Sequence, residues 1–162
     1  MERGVSPEAA QTKVAEFRET AERISQWQGP AKTRDGHRVQ LLANVADGRA
    51  ARQAATSQAE GIGLYRTELS FLSASHEPTV EEQSEIYLQV LESFPSSKVV
   101  IRTLDAGSDK PISYATLPDE ENPSLGVRGV RIAREHEGLL TRQLDAIAEA
   151  AKGRDSQAPC LL

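Results

Sequence analysis

Two short segments of the sequence combine an arginine, a threonine and a carboxylate directly after an apolar stretch. One reads Tyr65-Arg66-Thr67-Glu68 and the other Ile101-Arg102-Thr103-Leu104-Asp105. The planar guanidinium group binds phosphate or carboxylate through two parallel hydrogen bonds, so two such groups at neighbouring strand ends would suit an anionic ligand. The alternative is that each arginine forms an ion pair with the acid of its own segment. The repetition of the pattern favours the anion-binding interpretation.

The remaining polar residues give weaker signals. Gly107–Lys110 is a glycine-containing loop that could hold phosphate through main-chain N–H groups, with Lys110 adding positive charge. Arg128 lies near a predicted helix start, whereas Arg131 and Arg134 are expected on a solvated helix face. The three histidines and the single cysteine, Cys160, lack the spacing of a metal site or a catalytic triad. We therefore expect none of these four residues to bind a metal or to act in catalysis.

The elements that must position the two arginines follow from apolar periodicity. The first segment predicts a helix over about residues 6–28, with an apolar stripe formed by Val14, Phe17, Ala21, Ile24 and Trp27. Short apolar runs predict strands at 38–45, 61–65 and 98–101, and helical patterns lie at 47–60, 79–94 and 140–151. This alternation predicts an α/β fold with a parallel sheet. Both arginines then lie at the carboxyl ends of strands, where such folds place their sites. A doubly wound open sheet and part of a (β/α)8 barrel both fit.

Composition narrows the class of protein. The chain has 162 residues and a formal net charge of −5, without a basic block, which argues against nucleic acid as the main partner. No apolar run approaches the ~20 residues that a membrane span requires, and the first residues lack the apolar segment of a secretory signal. One cysteine cannot form an internal disulfide, which fits a reducing compartment. We expect a cytoplasmic protein that does not enter a membrane.

Several long motifs, in one collinear order, resemble the Enzyme I family of the bacterial sugar phosphotransferase system. The segment 61–72 resembles that family's second-strand signature, 100–110 its third-strand signature and 121–131 the segment that follows. Residues 35–45 resemble its first strand, and the helix over residues 6–28 resembles the linker between the two halves of that enzyme. Gly107-Ser108 stands where the family usually has two glycines.

The resemblance implies a (β/α)8 barrel that binds phosphoenolpyruvate (PEP) and Mg²⁺. The phosphoryl group would pass to a histidine on a separate N-terminal domain and then to a small phosphocarrier protein for sugar uptake. Arg66 and Arg102 match the two arginines that hold the substrate phosphate, and Arg128 matches a further basic residue of that site. The Mg²⁺ ligands, another arginine and the proton-donating cysteine belong to later strands. The implied organisation is a linker helix region over residues 1–34, about three βα units of the barrel over 35–153 and a divergent tail over 154–162.

Two alternatives stay open beside this interpretation. Pyruvate phosphate dikinases and PEP synthases share the barrel and related arginine motifs, although Tyr65 before Arg66 favours the Enzyme I family. The chain could also be a non-catalytic binding or dimerisation fragment. On either view we expect a homo-oligomer, because an incomplete barrel exposes a strand edge, and no turnover by the 162 residues alone.

Overall fold

The chain divides into two units, Met1–Val39 and Gln40–Leu162. The computed structural model describes residues 6–27, 29–107, 111–115, 120–154 and 160–161. In the first unit, helix α1 spans Pro7–Ser25, and the Ser6 side chain accepts a hydrogen bond from the Ala9 N–H group at 3.2 Å. No residue of α1 is buried, and Phe17 of the predicted apolar stripe is 74% exposed. The helix is confirmed but ends at Ser25, so Trp27 of the predicted stripe lies beyond it, and the four stripe residues within the helix are exposed.

A short hairpin follows α1 and corrects the first predicted strand. Strand β1, Ala31–Lys32, pairs antiparallel with β2, Arg38–Val39. Gly36, with a φ of +88°, lies in the turn between them, and the Thr33 N–H group donates to the His37 carbonyl at 2.8 Å. A single strand over residues 38–45 is therefore wrong, because this turn pairs residues 38–39 with 31–32. Only Ala43–Val45, strand β3, enters the larger sheet.

The second unit is built on a parallel sheet in the order β3-β4-β5-β6, where β4 is Ile62–Arg66, β5 is Val99–Arg102 and β6 is Cys160–Leu161. The parallel α/β arrangement is confirmed, and the described strands do not close into a barrel. The strand β6 differs from the sequence prediction of three strands followed by a divergent tail. Two residues carry too little periodicity to be recognised as a strand, and their pairing is set by the edge of β5.

Helices lie between the strands in the expected order. They are α2 (Gly48–Ala55), α3 (Glu68–Leu72), α4 (Val80–Glu92) and α5 (Glu137–Ala150), with a 3-10 helix at Gly129–Arg134 before α5. Helix α4 begins with a capping box, in which the Thr79 hydroxyl accepts from the Glu82 N–H group and the Glu82 carboxylate accepts from the Thr79 N–H group. Helix α2 ends at Ala55, five residues earlier than predicted.

One face of the sheet and the helices α2, α4 and α5 enclose the main core. Its strand residues include Val45, Ile62, Tyr65, Val99 and Ile101, all nearly or fully buried. An irregularity in β4 between Ile62 and Tyr65 lets both of these residues face the core. The alternation of side chains along the rest of the strands places Asn44, Leu64, Arg66, Val100 and Arg102 on the opposite face. Each of these five is partly or fully exposed. The arginines thus stand on the face of the sheet that the core helices leave open.

Close approach of β4 and β5 depends on a glycine at the start of β4. A Cβ atom on Gly61 would lie 2.4 Å from the Lys98 carbonyl oxygen, a clash that no side chain could avoid. With glycine there, the Ile62 N–H group donates to that same carbonyl at 2.8 Å. This contact starts the pairing that brings the far ends of the two strands side by side.

Helix α5 packs through a face that differs from the predicted one. The periodicity predicts a stripe of Leu140, Leu144, Ile147, Ala148 and Ala151, whereas the buried residues are Leu139, Gln143, Ala146, Ile147 and Ala150. Leu144 is exposed. The prediction failed because Gln143, a polar residue, occupies the centre of the buried face.

No helix in the described part of the chain is long and apolar enough to cross a membrane.

Candidate anion-binding site at the ends of β4 and β5

Arg66 and Arg102 end adjacent parallel strands and lie directly opposite each other. Their Cα atoms are register partners between β4 and β5. Residues in register on neighbouring strands project from the same face of the sheet, so both side chains leave the open face at its carboxyl edge. The sequence placed the arginines just after the strands, and the structure places each as the last residue of its strand.

Arg102 is held by two carboxylates. Its Nη2 atom contacts Glu68 Oε1, and its Nη1 atom lies 3.3 Å from Asp105 Oδ2. Glu68 is only 1% exposed, so this carboxylate has little access to water and depends on Arg102 for its charge partner. The alternative of an ion pair within each segment is therefore correct for Arg102 and Asp105. Glu68, however, pairs with the arginine of the other segment.

Arg66 is not neutralised in this way. Within the described residues its guanidinium group has no ion-pair partner, and its Nε atom is buried without a hydrogen-bond acceptor. A buried donor that lacks an acceptor carries a desolvation cost, which an anionic ligand would remove. Among the three arginines at this edge, Arg66 is thus the one that no described carboxylate engages.

The structure brings the third predicted residue, Arg128, into the same cluster. Its Nε atom lies 3.1 Å from Asp105 Oδ1, so Asp105 bridges Arg102 and Arg128. Gly129 follows with a φ of +55°, a left-handed conformation that glycine adopts without strain, and a Cβ atom there would lie 3.5 Å from the same Asp105 oxygen. The cluster contains three guanidinium groups and two carboxylates, so these five groups together carry a formal charge of +1.

A buried polar network supports this edge, and the sequence did not reveal it. The Thr67 hydroxyl donates to the Arg102 carbonyl at 2.8 Å and accepts from Gln143 Nε2 at 3.2 Å. Gln143 Oε1 accepts from the Leu104 N–H group at 2.9 Å, and Nε2 also donates to the Tyr87 hydroxyl at 3.1 Å. The available signal was a glutamine among the apolar residues of α5, at a position that helical spacing assigns to the core.

Tyr87, a member of this network, is buried against Tyr65. The rings of Tyr65 and Tyr87 meet edge to face, with centroids 6.0 Å apart. Burial raises the pKa of both hydroxyl groups above the ordinary value, because the phenolate would lose its hydration. Both therefore stay neutral at physiological pH. Tyr87 acts as a packing and hydrogen-bonding group, whereas the buried Tyr65 hydroxyl has no hydrogen-bond partner among the described residues.

The other candidates from the sequence lie elsewhere. Lys110, with Ser108 and Asp109 of the same loop, falls outside the described residues. Arg131 and Arg134 are exposed, as expected, and Arg131 Nε donates to the Gly126 carbonyl at 2.7 Å. Over the described ranges no three His, Cys, Asp or Glu side chains are grouped to hold a metal ion. The two carboxylates nearest the arginines are engaged by guanidinium groups, so the described residues do not fit a Mg²⁺ site.

The geometry as a whole suits a small dianion or trianion. Two in-register guanidinium groups can each offer a pair of N–H donors in a plane, a match for the oxygens of a phosphate group. Arg102 and Arg128 are preset by carboxylates, whereas Arg66 has its donors available. Such a site can bind and orient a phosphorylated ligand.

Comparison with known proteins agrees with this chemistry. Residues 20–159 match a family described as PEP-utilising enzyme, PEP-binding domain. The chain is 47% identical over 141 residues to the phosphoenolpyruvate-protein phosphotransferase of Streptomyces coelicolor, covering 86% of this chain and 25% of that protein. It is 44% identical over 143 residues to the protein of the same name from Haemophilus influenzae (88% and 24%) and 42% identical over 146 residues to the multiphosphoryl transfer protein of Xanthomonas campestris (90% and 17%). The chain therefore spans about a quarter or less of the length of these relatives.

Proposed function

Because this chain belongs to the family of PEP-binding domains of PEP-utilising enzymes, we propose that it forms the phosphate-binding part of a phosphoenolpyruvate–protein phosphotransferase. The observation that carries the proposal is the register pairing of Arg66 with Arg102 at the carboxyl edge of the sheet. In this proposal the two guanidinium groups bind the phosphate group of PEP, and Arg128 adds positive charge beside them.

The division of roles between the arginines follows from their partners. Arg102, fixed by Glu68 and Asp105, supplies a preorganised donor that needs little reordering when the ligand binds. Arg66 makes no ion pair in the described part of the chain, so it gains the most from an incoming phosphate. Phosphoryl transfer depends mainly on positioning and on stabilising charge on the phosphoryl oxygens. Both arginines would act on that charge, and neither would exchange a proton.

We further propose that the sheet is a sector of a (β/α)8 barrel. Successive parallel strands with helices on one face, and an opposite face that carries the site residues, are the arrangement of βα units in such a barrel. The open face of Arg66, Arg102, Leu64 and Val100 would then face the barrel interior. The family match and the parallel strand order support this proposal.

For the phosphoryl acceptor and the later transfer steps, the proposal follows what the family resemblance implies. The phosphoryl group would move from PEP to a histidine of another domain and then to a phosphocarrier protein, in a homo-oligomeric enzyme of the cytoplasm. Relatives named as phosphotransferases and multiphosphoryl transfer proteins favour this activity over a dikinase. Mg²⁺ would be held by residues outside the described ones, and no step proposed for this chain passes through it.

The site can be tested on the full chain by following arginine side-chain N–H signals in nuclear magnetic resonance spectra during titration with PEP. The Nε atoms of Arg66 and Arg102 are buried, so their protons should exchange slowly and give separate signals. We expect both signals to shift and saturate at millimolar PEP, and Arg66→Ala to abolish the saturable shift of Arg102. Arg142→Ala serves as the control, because Arg142 forms its ion pair with Glu77 rather than with a carboxylate of the cluster, and its side chain is 46% exposed. Unchanged Arg66 and Arg102 signals at saturating PEP would contradict the proposal.

A further inference from the structure

The main chain on both sides of Thr103 is held by side chains from other elements. The carbonyl of Arg102 accepts from the Thr67 hydroxyl at 2.8 Å, and the N–H group of Leu104 donates to Gln143 Oε1 at 2.9 Å. Thr67 and Gln143 are joined by their own hydrogen bond at 3.2 Å. Together they fix the point where the chain leaves β5, immediately beside the guanidinium-bearing residue.

The direction of every hydrogen bond in this network is determined. The Thr67 hydroxyl has one proton, which goes to the Arg102 carbonyl, so its oxygen must accept from Gln143. The Gln143 amide then has its NH₂ group towards Thr67 and Tyr87 and its oxygen towards Leu104. The Tyr87 hydroxyl donates to Gln83 Oε1 at 3.0 Å, and Gln83 Nε2 donates to the Pro78 carbonyl at 2.9 Å. A network with one allowed orientation holds its members more rigidly than one with alternatives.

All side chains of the network are shielded from water. Thr67 is 0% exposed and Tyr87, Gln143 and Gln83 are each 2% exposed or less. Water cannot replace a lost partner at such depth, so removal of one hydroxyl group must move the groups that it held or leave them unpaired. The Arg102 carbonyl is one of those groups.

We propose that Thr67 and Gln143 are positioning residues for Arg102, which set the distance between the two opposed arginines and thereby the affinity for the phosphate group. This inference rests on the proposed function, since it assigns a further role in the same site. Thr67 lies next to Arg66 in sequence and holds Arg102 by hydrogen bond, so one side chain ties together the two strand ends. Gln143 locks the Thr67 rotamer from α5.

The test compares two isosteric substitutions within the network, Thr67→Val and Tyr87→Phe, in the full chain. Thr67→Val removes the hydroxyl that holds the Arg102 carbonyl. Tyr87→Phe removes a hydroxyl from the distant side of Gln143 and leaves the Thr67 bond in place. Thr67→Ser restores the hydroxyl and serves as the conservative rescue. Each variant is measured for its melting temperature and for its dissociation constant with PEP, read from the arginine signals.

We expect both Thr67→Val and Tyr87→Phe to lower the melting temperature. Only Thr67→Val should weaken PEP binding. The dissociation constant should rise by about tenfold, which corresponds to the free energy of one hydrogen bond. Thr67→Ser should bind within about twofold of the unmodified chain, since the hydroxyl returns. Should Thr67→Val fail to fold, Gln143→Met provides the second variant, because it removes the donor to Thr67 without burying a charge.

Three outcomes separate the claims. Weaker binding by Thr67→Val with normal binding by Tyr87→Phe supports the positioning role. Equal affinities of all variants, with PEP bound by the unmodified chain, would overturn that role and leave the phosphate site intact. An unmodified chain that does not bind PEP would overturn the phosphate site and the positioning role together.

Discussion

Replacing Arg102 by alanine should destabilise the folded chain far more than replacing Arg66, although the two arginines occupy equivalent positions on their strands. Removing Arg102 leaves the Glu68 carboxylate, whose side chain is 2% exposed, without a charge partner among the described residues. Removing Arg66 breaks no ion pair in the described part of the chain and reduces repulsion among the remaining guanidinium groups.

The size of the difference follows from burial. Breaking a fully buried ion pair costs roughly 3–5 kcal/mol. The Arg102 side chain is 23% exposed, so solvent reduces the loss, and we expect about 2–3 kcal/mol for Arg102→Ala. For a domain of this length that corresponds to a fall in melting temperature of roughly 5–10 °C. Arg66→Ala should change stability by less than about 1 kcal/mol.

Urea unfolding of the full chain, followed by circular dichroism, measures both free energies. The double variant Arg102→Ala/Glu68→Gln provides the control, because the neutral amide no longer needs a cation. It should recover part of the loss seen in Arg102→Ala alone. Equal free energies of unfolding for Arg66→Ala and Arg102→Ala would refute the assignment of Arg102 as the charge partner of buried Glu68.

Three further predictions concern residues outside the cluster of Arg66, Arg102 and Arg128. Thr79→Ala should cost about 1 kcal/mol in a urea titration, because it removes the capping box of α4; no loss would mean that the cap is unimportant. Arg154→Met should cost about 1–3 kcal/mol and leave PEP affinity unchanged, because its guanidinium group donates to three main-chain carbonyls around the end of α4; a change in affinity would contradict this purely structural role. Burial raises the pKa of all three tyrosines, that of Tyr114 to about 12. The folded chain therefore holds these phenol protons more tightly than the unfolded chain, and the resulting stabilisation is complete below the unfolded pKa near 10 and is lost as the pH rises towards the folded values. An absorbance titration of the folded chain should therefore show no phenol ionising at the ordinary pKa, and a tyrosine that does so would contradict the burial.

The order of strands and helices was predictable because it depends on local pattern. Capping residues such as Thr79 and Glu82 fix the start of α4 from within one turn. The runs ending at Arg66 and Arg102 are apolar enough to mark strands, and a parallel sheet places their ends side by side. The pairing of the two arginines thus followed from the sequence and a general rule of α/β folds.

The buried face of α5 and the ion-pair partners were not predictable because their partners are distant in the chain. The buried Gln143 amide forms its hydrogen bonds with Thr67, Tyr87 and Leu104, which lie 76, 56 and 39 residues away in the sequence. Glu68 is two residues from Arg66, yet the first turn of α3 directs it to Arg102. Periodicity and spacing describe residues that are close in the sequence, so they cannot predict hydrogen-bond or ion-pair partners that are distant in it.

Phosphoryl transfer by a full-length chimera shows most directly whether Arg66 binds the phosphate group of PEP. In this chimera, residues 20–159 replace the matching segment of the Streptomyces coelicolor relative, and transfer from PEP is measured for the unmodified segment and for Arg66→Ala, Arg66→Lys and Arg142→Ala. We expect transfer by the unmodified chimera and by Arg142→Ala, and a fall of about a hundredfold or more for Arg66→Ala, on the scale of one preorganised donor. Lysine should restore only part of the rate, because a point charge cannot reproduce two parallel hydrogen bonds. Undiminished transfer by Arg66→Ala would contradict the assignment of Arg66 as a phosphate-binding residue.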